Sequence, residues 1–400
     1  STFSDGESLY GAFVKSTVPL AIFENIDTSI ALAIDGVVDV LTAIDIPGTN
    51  DVDIKHPGAE FLFTPISKVV ECVGQPLGLV LANSQKAANA AALAVQATGL
   101  TFKDTGTPPI LSLDEAIEKK KFFDLPKEVP YVINHGKNID EALSASPHTY
   151  QGTVNFAGQR HFYMETQRSF VRPKEGGDSF ELYTSTQDLD LTQQTVANLL
   201  NISQNKIVGK MTRAGGAFGG KLTRNLPCAM AATLAAAKHQ KKIKVINERV
   251  DDLNMTGGRE KGKAIYTVGF DNNGKILALK LDFYMDSGFS IDISDGDLQM
   301  AMYWADNVYN IPTWSSNGSL CKTNTPTNTA MRAPGVVHSI HTMEHVLHNI
   351  SKILDIDPVQ ARALNFYAVG DTTPYNQVIE RSTLLETWQQ VQESSNYPQL

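Results

Sequence analysis

The sequence predicts an α+β protein in which a small α/β domain leads into a larger mixed α/β domain. Three observations carry that expectation. Short β-rich runs alternate with alanine-rich helical runs over residues 1–121; residues 122–146 scatter proline, glycine and polar residues with weak periodicity, as a linker does; strands and helices then resume over 147–400. A chain of 400 residues is long enough for two or three domains with real cores.

In the first domain, residues 10–16 and 37–42 read as strands. Residues 78–82 form a fully apolar strand candidate, Ser84 stands where an N-cap belongs, and 85–97 is a helix by alanine propensity. A second helix follows from Leu113, capped by Asp114 and ending in Lys119-Lys120-Lys121, whose charges suit a helix C-terminus. In the second domain, strands are expected at 149–156, 180–185, 206–211 and 242–248, with helices at 189–200 and 227–239. Pro227 falls in a first turn, where its missing N–H is harmless. Residues 264–270 and 276–285 flank Asp271-Asn272-Asn273-Gly274, a hairpin signal. Helices at 298–307 and 335–354 complete the pattern, and no internal repeat is found.

Composition excludes several function classes. The hydrophobic fraction of 42% and charged fraction of 19% are those of a soluble globular protein. A net charge of -9 disfavours nucleic acid and anionic membranes as partners. No apolar run reaches the length of a membrane span, and the start of the sequence lacks the basic and apolar regions of a signal peptide. Cys72, Cys228 and Cys321 are dispersed with no C-x-x-C pair, which fits buried thiols in the cytoplasm better than a disulfide frame, a zinc site or an iron–sulfur site. Four N-x-S/T matches, at Asn201, Asn254, Asn317 and Asn349, do not outweigh the cysteines.

Three stretches compete for the chemistry. In Gly215–Gly220 four of six residues are glycine, with Phe218 among them, between a strand and an alanine-rich helix. Glycine this dense lets a ligand approach the main chain, and a loop opening a helix offers N–H groups to an anion. Spacing alone leaves a cofactor cradle and a plain flexible turn equally open. The second is 159–167, a dense mixture of polar and aromatic residues in which Gln159 either donates to an oxo or phosphate group or satisfies a strand end. The third places Arg332 in a Gly/Pro loop before a helix, as an anion holder or a surface cation. A fourth candidate is weaker. His338, His341, His345 and His348 share one helical face, and His341-x-x-Glu344-His345 matches an inverted zinc-protease pattern, but the same segment carries the apolar residues of a packing helix.

Taken together the stretches resemble the molybdenum hydroxylases, the family of xanthine dehydrogenase and aldehyde oxidase. The resemblance runs collinearly through Val73-Gly74-Gln75-Pro76, Gly158-Gln159 to Thr166, Ser185-Thr186-Gln187, Gly215–Lys221, Thr256-Gly257-Gly258-Arg259, Cys321–Asn324 and Asn328–Arg332. It implies an α/β hammerhead domain (1–121), a linker (122–146), and the first half of a molybdopterin-binding domain (147–400). It also implies that Gln159 hydrogen-bonds an oxo ligand of molybdenum. Gly216, Ala217, Phe218 and Gly219 lie against the pterin and metal, as does Arg332, with the metal itself held by the cofactor's dithiolene rather than by the protein.

Within the family, xanthine dehydrogenases carry a glutamate at the position of Leu222, an arginine at that of Met300 and an aromatic ring at that of Pro334. Apolar residues there would leave a purine's polar edges unpaired, so the resemblance is closer to aldehyde oxidase. The reaction then expected is oxidation of a small aldehyde to a carboxylic acid with oxygen from water, in a homodimer. The base glutamate is expected beyond Leu400, and the [2Fe–2S] clusters and FAD ahead of this region. A truncated non-catalytic homologue serving binding or assembly, a xanthine dehydrogenase and a zinc hydrolase are the alternatives.

Overall fold

The computed structural model describes residues 8–53, 55–125 and 131–397. The first part of the chain forms β1 (Ser8–Lys15), β2 (Ala21–Ile26), α1 (Ser29–Leu32), β3 (Val37–Leu41), β4 (Val69–Val70), β5 (Pro76–Ala82), α2 (Gln85–Thr98), β6 (Leu100–Asp104) and α3 (Leu113–Glu118). Then come β7 (Val132–His135), α4 (Ile139–Ser144), β8 (His148–Phe156), β9 (Arg168–Lys174), β10 (Ser179–Thr184), α5 (Leu189–Leu200), β11 (Ile207–Lys210), α6 (Leu226–His239), β12 (Lys242–Ile246) and α7 (Arg249–Met255). The remainder is β13 (Gly262–Phe270), β14 (Ile276–Gly288), α8 (Ser294–Tyr303), β15 (Thr313–Lys322), α9 (Val336–Leu354), α10 (Pro358–Ala363) and α11 (Leu384–Ser395).

Most local signals act as read. Ser84 caps α2, its hydroxyl accepting from the Ala87 amide at 3.2 Å, and Pro227 sits in the first turn of α6. Three details differ. Ser112, not Asp114, caps α3, because Ser112 has the extended backbone an N-cap needs while Asp114 already lies inside the helix and pairs with Lys263. Helix α8 begins at Ser294, earlier than 298, with Asp295 and Asp297 in its first turn, where the helix dipole favours them. Residues 122–146, expected as a linker, carry β7 and α4 in their described part, while 126–130 lie outside the described residues. A four-residue edge strand with one buried side chain, Ile133, is too short to show a period in the sequence.

Among the described residues the strands build a seven-stranded sheet (β11-β10-β9-β12-β1-β5-β3), a five-stranded sheet (β7-β15-β14-β13-β8) and a small β4-β2-β6 sheet. The largest sheet ignores the sequence boundary. Strand β1 pairs in parallel with β12, Ser8 opposite Lys242 and Gly11 opposite Val245, while its other edge takes β5 antiparallel. One core therefore joins Leu9, Phe13 and Leu79 to Leu182, Leu234 and Ile243. Helix α6 packs on this sheet and is buried along most of its length, as an alanine- and leucine-rich helix without a polar face must be. On the five-stranded sheet, Met343, Val346, Leu347 and Ile350 of α9 share a core with Leu298 and Met302 of α8.

A buried cation ties these units. The Arg224 guanidinium donates to Glu60 Oε1 at 2.7 Å and to Asp292 Oδ1 at 3.1 Å. Glu60 Oε2 also accepts from Ser290 (2.8 Å) and Thr327 (3.0 Å). Burial works against the charge, but Asp292 and then Glu60 outweigh it and hold the guanidinium protonated. Removing one member leaves uncompensated charge in a place water does not reach. Arg224→Ala is therefore expected to cost about 3–5 kcal/mol, read as a lowered urea midpoint.

Candidate functional site

The candidate loops leave the ends of three strands on two sheets: 157–167 after β8, 211–225 after β11, and 323–335 after β15. They close a triangle of hydrogen bonds. Gln167 Nε2 donates to Gly220 O at 2.7 Å, joining the first loop to the second. His161 Nε2 donates to Ala330 O at 2.9 Å, joining the first to the third. The Arg332 amide donates to Phe218 O at 2.9 Å, joining the third to the second. The three stretches that compete in the sequence are thus one place.

Glycine is needed for this packing at Gly219, which has φ +103° and where an added Cβ would lie 2.1 Å from Ala330 O. The loop does not open a helix directly, as the sequence suggested. Residues 221–225 intervene before α6, and that turn drives Arg224 into its acidic pocket. The loop's N–H groups are partly spent: Gly215 donates to Glu165 (3.0 Å), while Gly219 (3.0 Å) and Lys221 (3.3 Å) donate to Gln187 Oε1. Among the described residues the N–H groups of Gly216, Ala217 and Phe218 have no protein partner. Phe218 itself is held at φ +56° with its side chain half exposed.

Lys221 is fully buried, its ammonium 2.9 Å from Glu165 Oε2, 3.1 Å from Ser185 Oγ and 4.8 Å from the Tyr163 ring centre. Burial pushes the Glu165 carboxyl up, but donors from Lys221, Ser185 and Gly215 outweigh it and hold it at about 2. Glu165, Ser185 and Gln187 are thus the braces of the glycine loop; all three lie within the family-like stretches, and nothing local in the sequence signals the role.

Gln159 and Arg332 are both exposed. Gln159 Oε1 accepts from Arg259 Nε at 3.2 Å, so its amide nitrogen is the end left over. The Arg332 guanidinium has no hydrogen-bond or ion-pair partner among the described residues. Below them Arg259, almost fully buried, gathers the carbonyls of Met331 (3.0 Å), Arg332 (2.6 Å) and Ala333 (3.2 Å). Next to it the carboxyls of Glu260 and Asp297 are both buried, and Glu260 accepts from Ser294 at 2.8 Å. Burial, then the charge of Asp297, lifts Glu260 far above the carboxylate range, and burial lifts Asp297 to about 7. His338 donates from Nε2 to Glu260 O at 3.1 Å, and burial, then Arg259, pushes it down to about 4.

The pocket residues are spread more widely. Leu222 follows the glycine loop and donates its amide to Gly219 O at 3.2 Å. Gly335, next to Pro334, packs against α8, where a Cβ would meet Asp297 O at 2.0 Å. Met300, on that helix, lines a cavity of about 560 Å³ with Ile133, Tyr303, Trp304 and Tyr375, and neither Leu222 nor Pro334 lines it. The histidine face carries no metal site: among the described residues no group of three metal-binding side chains is found. Glu344 is instead committed to Arg362 (2.7 Å) and Tyr309 (2.5 Å). All three cysteines are buried free thiols, and no helix in the described residues is long and apolar enough to cross a membrane.

Comparison with known proteins agrees with this geometry. Residues 122–366 match the molybdopterin cofactor-binding domain, and residues 3–98 match the aldehyde oxidase and xanthine dehydrogenase a/b hammerhead domain. The chain is 34% identical to the xanthine dehydrogenase/oxidase of Felis catus over 96% of its own length, and 34% identical to aldehyde oxidase 1 of Bos taurus over 97%. It spans 28% of the length of each. In fold it is similar to the aldehyde oxidoreductase of Desulfovibrio desulfuricans (TM-score 0.86, 24% identity, 98% of this chain and 44% of that one). It is equally similar to quinoline 2-oxidoreductase from Pseudomonas putida 86 (TM-score 0.86, 20% identity, 99% of this chain and 51% of that one).

Two outcomes test the site's internal physics. Gly219→Ala should cost about 1–3 kcal/mol from backbone strain alone, whereas Gly296→Ala, whose Cβ meets nothing within 4 Å, should be neutral or mildly stabilising in the same denaturation series. His338 is neutral when folded and charges when unfolded. Its depressed pKa therefore removes stability as pH falls from about 6.5 to about 4, on the order of 3 kcal/mol in all. The raised pKa of Asp297 acts with the opposite sign below pH 7, so the test is the difference between wild type and His338→Gln, which should lack the His338 component.

Proposed function

Because the chain belongs to the aldehyde oxidase and xanthine dehydrogenase family of molybdopterin-binding oxidoreductases, we propose that it forms one side of the active site of an aldehyde oxidase. The observation that carries this reading is the closed triangle of loops, which leaves hydrogen-bond donors without protein partners.

The residues fit the cofactor by the chemistry of their donors. The open N–H groups of Gly216, Ala217 and Phe218, the Gln159 amide and the Arg332 guanidinium are all donors, as an anionic, oxo-rich pterin requires. When bound, the molybdenum cofactor supplies a two-electron oxidation with oxygen drawn from water.

The chain's own residues then bind and select. Gln159 presents an N–H end, because a guanidinium can only donate and so claims the amide oxygen. Leu222 and Pro334 in the loops, and Met300 in the separate cavity beside α8, are the apolar residues of this reading, which suits R–CHO with an apolar tail and leaves a purine's polar edges unpaired. In this reading the base glutamate, the [2Fe–2S] clusters and FAD belong to parts of a cytoplasmic homodimer outside this chain.

The test uses the complete enzyme. Gln159→Ala should lower aldehyde turnover about 10- to 100-fold, the worth of one hydrogen bond to a charged group; unchanged turnover would refute the donor role. The double substitution Leu222→Glu with Met300→Arg should shift kcat/KM from aldehydes toward hypoxanthine. A wild type that already prefers hypoxanthine would favour the xanthine dehydrogenase reading instead.

A further inference from the structure

Arg259 touches two of the three converging loops at once. Its Nε donates to Gln159 Oε1 at 3.2 Å, its Nη1 to Met331 O at 3.0 Å and Ala333 O at 3.2 Å, and its Nη2 to Arg332 O at 2.6 Å. Its main-chain amide adds a bond to Gln159 O at 2.8 Å. Three successive carbonyls can point at one cation only if the chain curls around it, and Ala333 accepts the left-handed backbone (φ +55°) that the curl requires. A carbonyl run aimed inward turns the Arg332 side chain outward, where it is exposed.

The second consequence is polarity. An amide can be placed either way round in a site, and the two ends differ by a full reversal of donor and acceptor. A guanidinium has five N–H groups and no acceptor, so beside it only the oxygen of Gln159 is tolerated, and the NH₂ end must face the other way. Burial disfavours the charge of Arg259, and the neighbouring Glu260 and Asp297 favour it. Arg259, Glu260 and Asp297 are buried, so the arrangement beneath the exposed Gln159 is built into the fold rather than borrowed from solvent.

We propose that Arg259 is the positioning residue of this site. It fixes which end of the Gln159 amide is offered to the ligand, and it holds residues 331–333 curled so that the Arg332 amide docks on Phe218. This rests on the reading that Gln159 and the arginine loop face the cofactor. A structural buried arginine would stabilise the fold without coupling to Gln159; a positioning arginine must couple to it.

The experiment compares wild type, Arg259→Lys, Gln159→Ala and the double variant as complete enzymes. Molybdenum content, kcat and KM for one aldehyde, and hydrogen exchange of the 331–335 amides are measured. Lysine keeps the charge but cannot serve four acceptors at once. Arg259→Lys is expected to speed exchange at Arg332 at least tenfold while β13 and β14 keep wild-type protection, and to lower kcat at least tenfold with KM changed less than threefold. Adding Gln159→Ala to it should then cost nothing further, because the amide is already misoriented. Wild-type exchange at Arg332 in Arg259→Lys, or an undiminished Gln159→Ala penalty in that background, would overturn the proposal. Should Arg259→Lys fail to fold, Gln159→Glu decides. A carboxylate there keeps the acceptor for Arg259 and lacks the NH₂, so protection at Arg332 should persist while turnover falls as in Gln159→Ala; wild-type turnover in Gln159→Glu overturns it. Failure of the cofactor reading shows separately, as absent molybdenum in the wild type with the exchange pattern unchanged, and failure of the aldehyde reading as a wild type that turns over hypoxanthine in preference to the aldehyde.

Discussion

A guanidinium placed where water does not reach sets the terms for the rest of this structure. Arg224 is buried only because Glu60 and Asp292 meet it, and those carboxylates come from distant parts of the chain. Serine and threonine hydroxyls from the strand-end loops then donate to the second oxygen of Glu60. A charge that must be matched from three directions leaves little freedom in how those segments meet. The glycine loop starts its return to α6 at this point, so the geometry of the site above inherits the constraint.

The same logic repeats one layer up. Lys221 braces the glycine loop against Glu165, and Arg259 gathers the arginine loop, each cation serving backbone that carries no regular ladder. Loops shaped for a ligand cannot satisfy their polar groups with one another as strands do. Buried side-chain charges do that work here, and they leave the outward face free of commitments. The exposed donors of Gln159 and Arg332 are the visible remainder of that internal accounting.

Much of this was legible in the sequence, and the pattern of what was not is physical. Elements with a long period or a local cap, such as α2 after Ser84 and the hairpin around Gly274, announce themselves because the signal and the structure are both local. Strand β7 does not, since a short edge strand with Ile133 as its buried side chain has no period to detect. The three site loops were visible as glycine, amide and arginine in unusual settings. That they touch one another was not, because each of the bonds that joins them links residues far apart in the chain. Arg259, Glu260 and Asp297 lay inside or beside recognised stretches and looked like ordinary polar residues; burial alone gives them meaning, and burial is not written in any window of sequence. The zinc-like histidine pattern shows the converse, since helical spacing was real while Glu344 belonged to Arg362.

The parallel pairing of β1 with β12 carries a consequence for biogenesis. Ser8 finds its partner only at Lys242, so at about 5–20 residues per second of synthesis the first strand waits on the order of ten seconds to a minute with one edge unpaired. It can meet β5 and β3 in that interval, but the β12 side stays open as a template for any other extended chain. During synthesis the unpaired edge of β1 therefore stays exposed until β12 has been delivered.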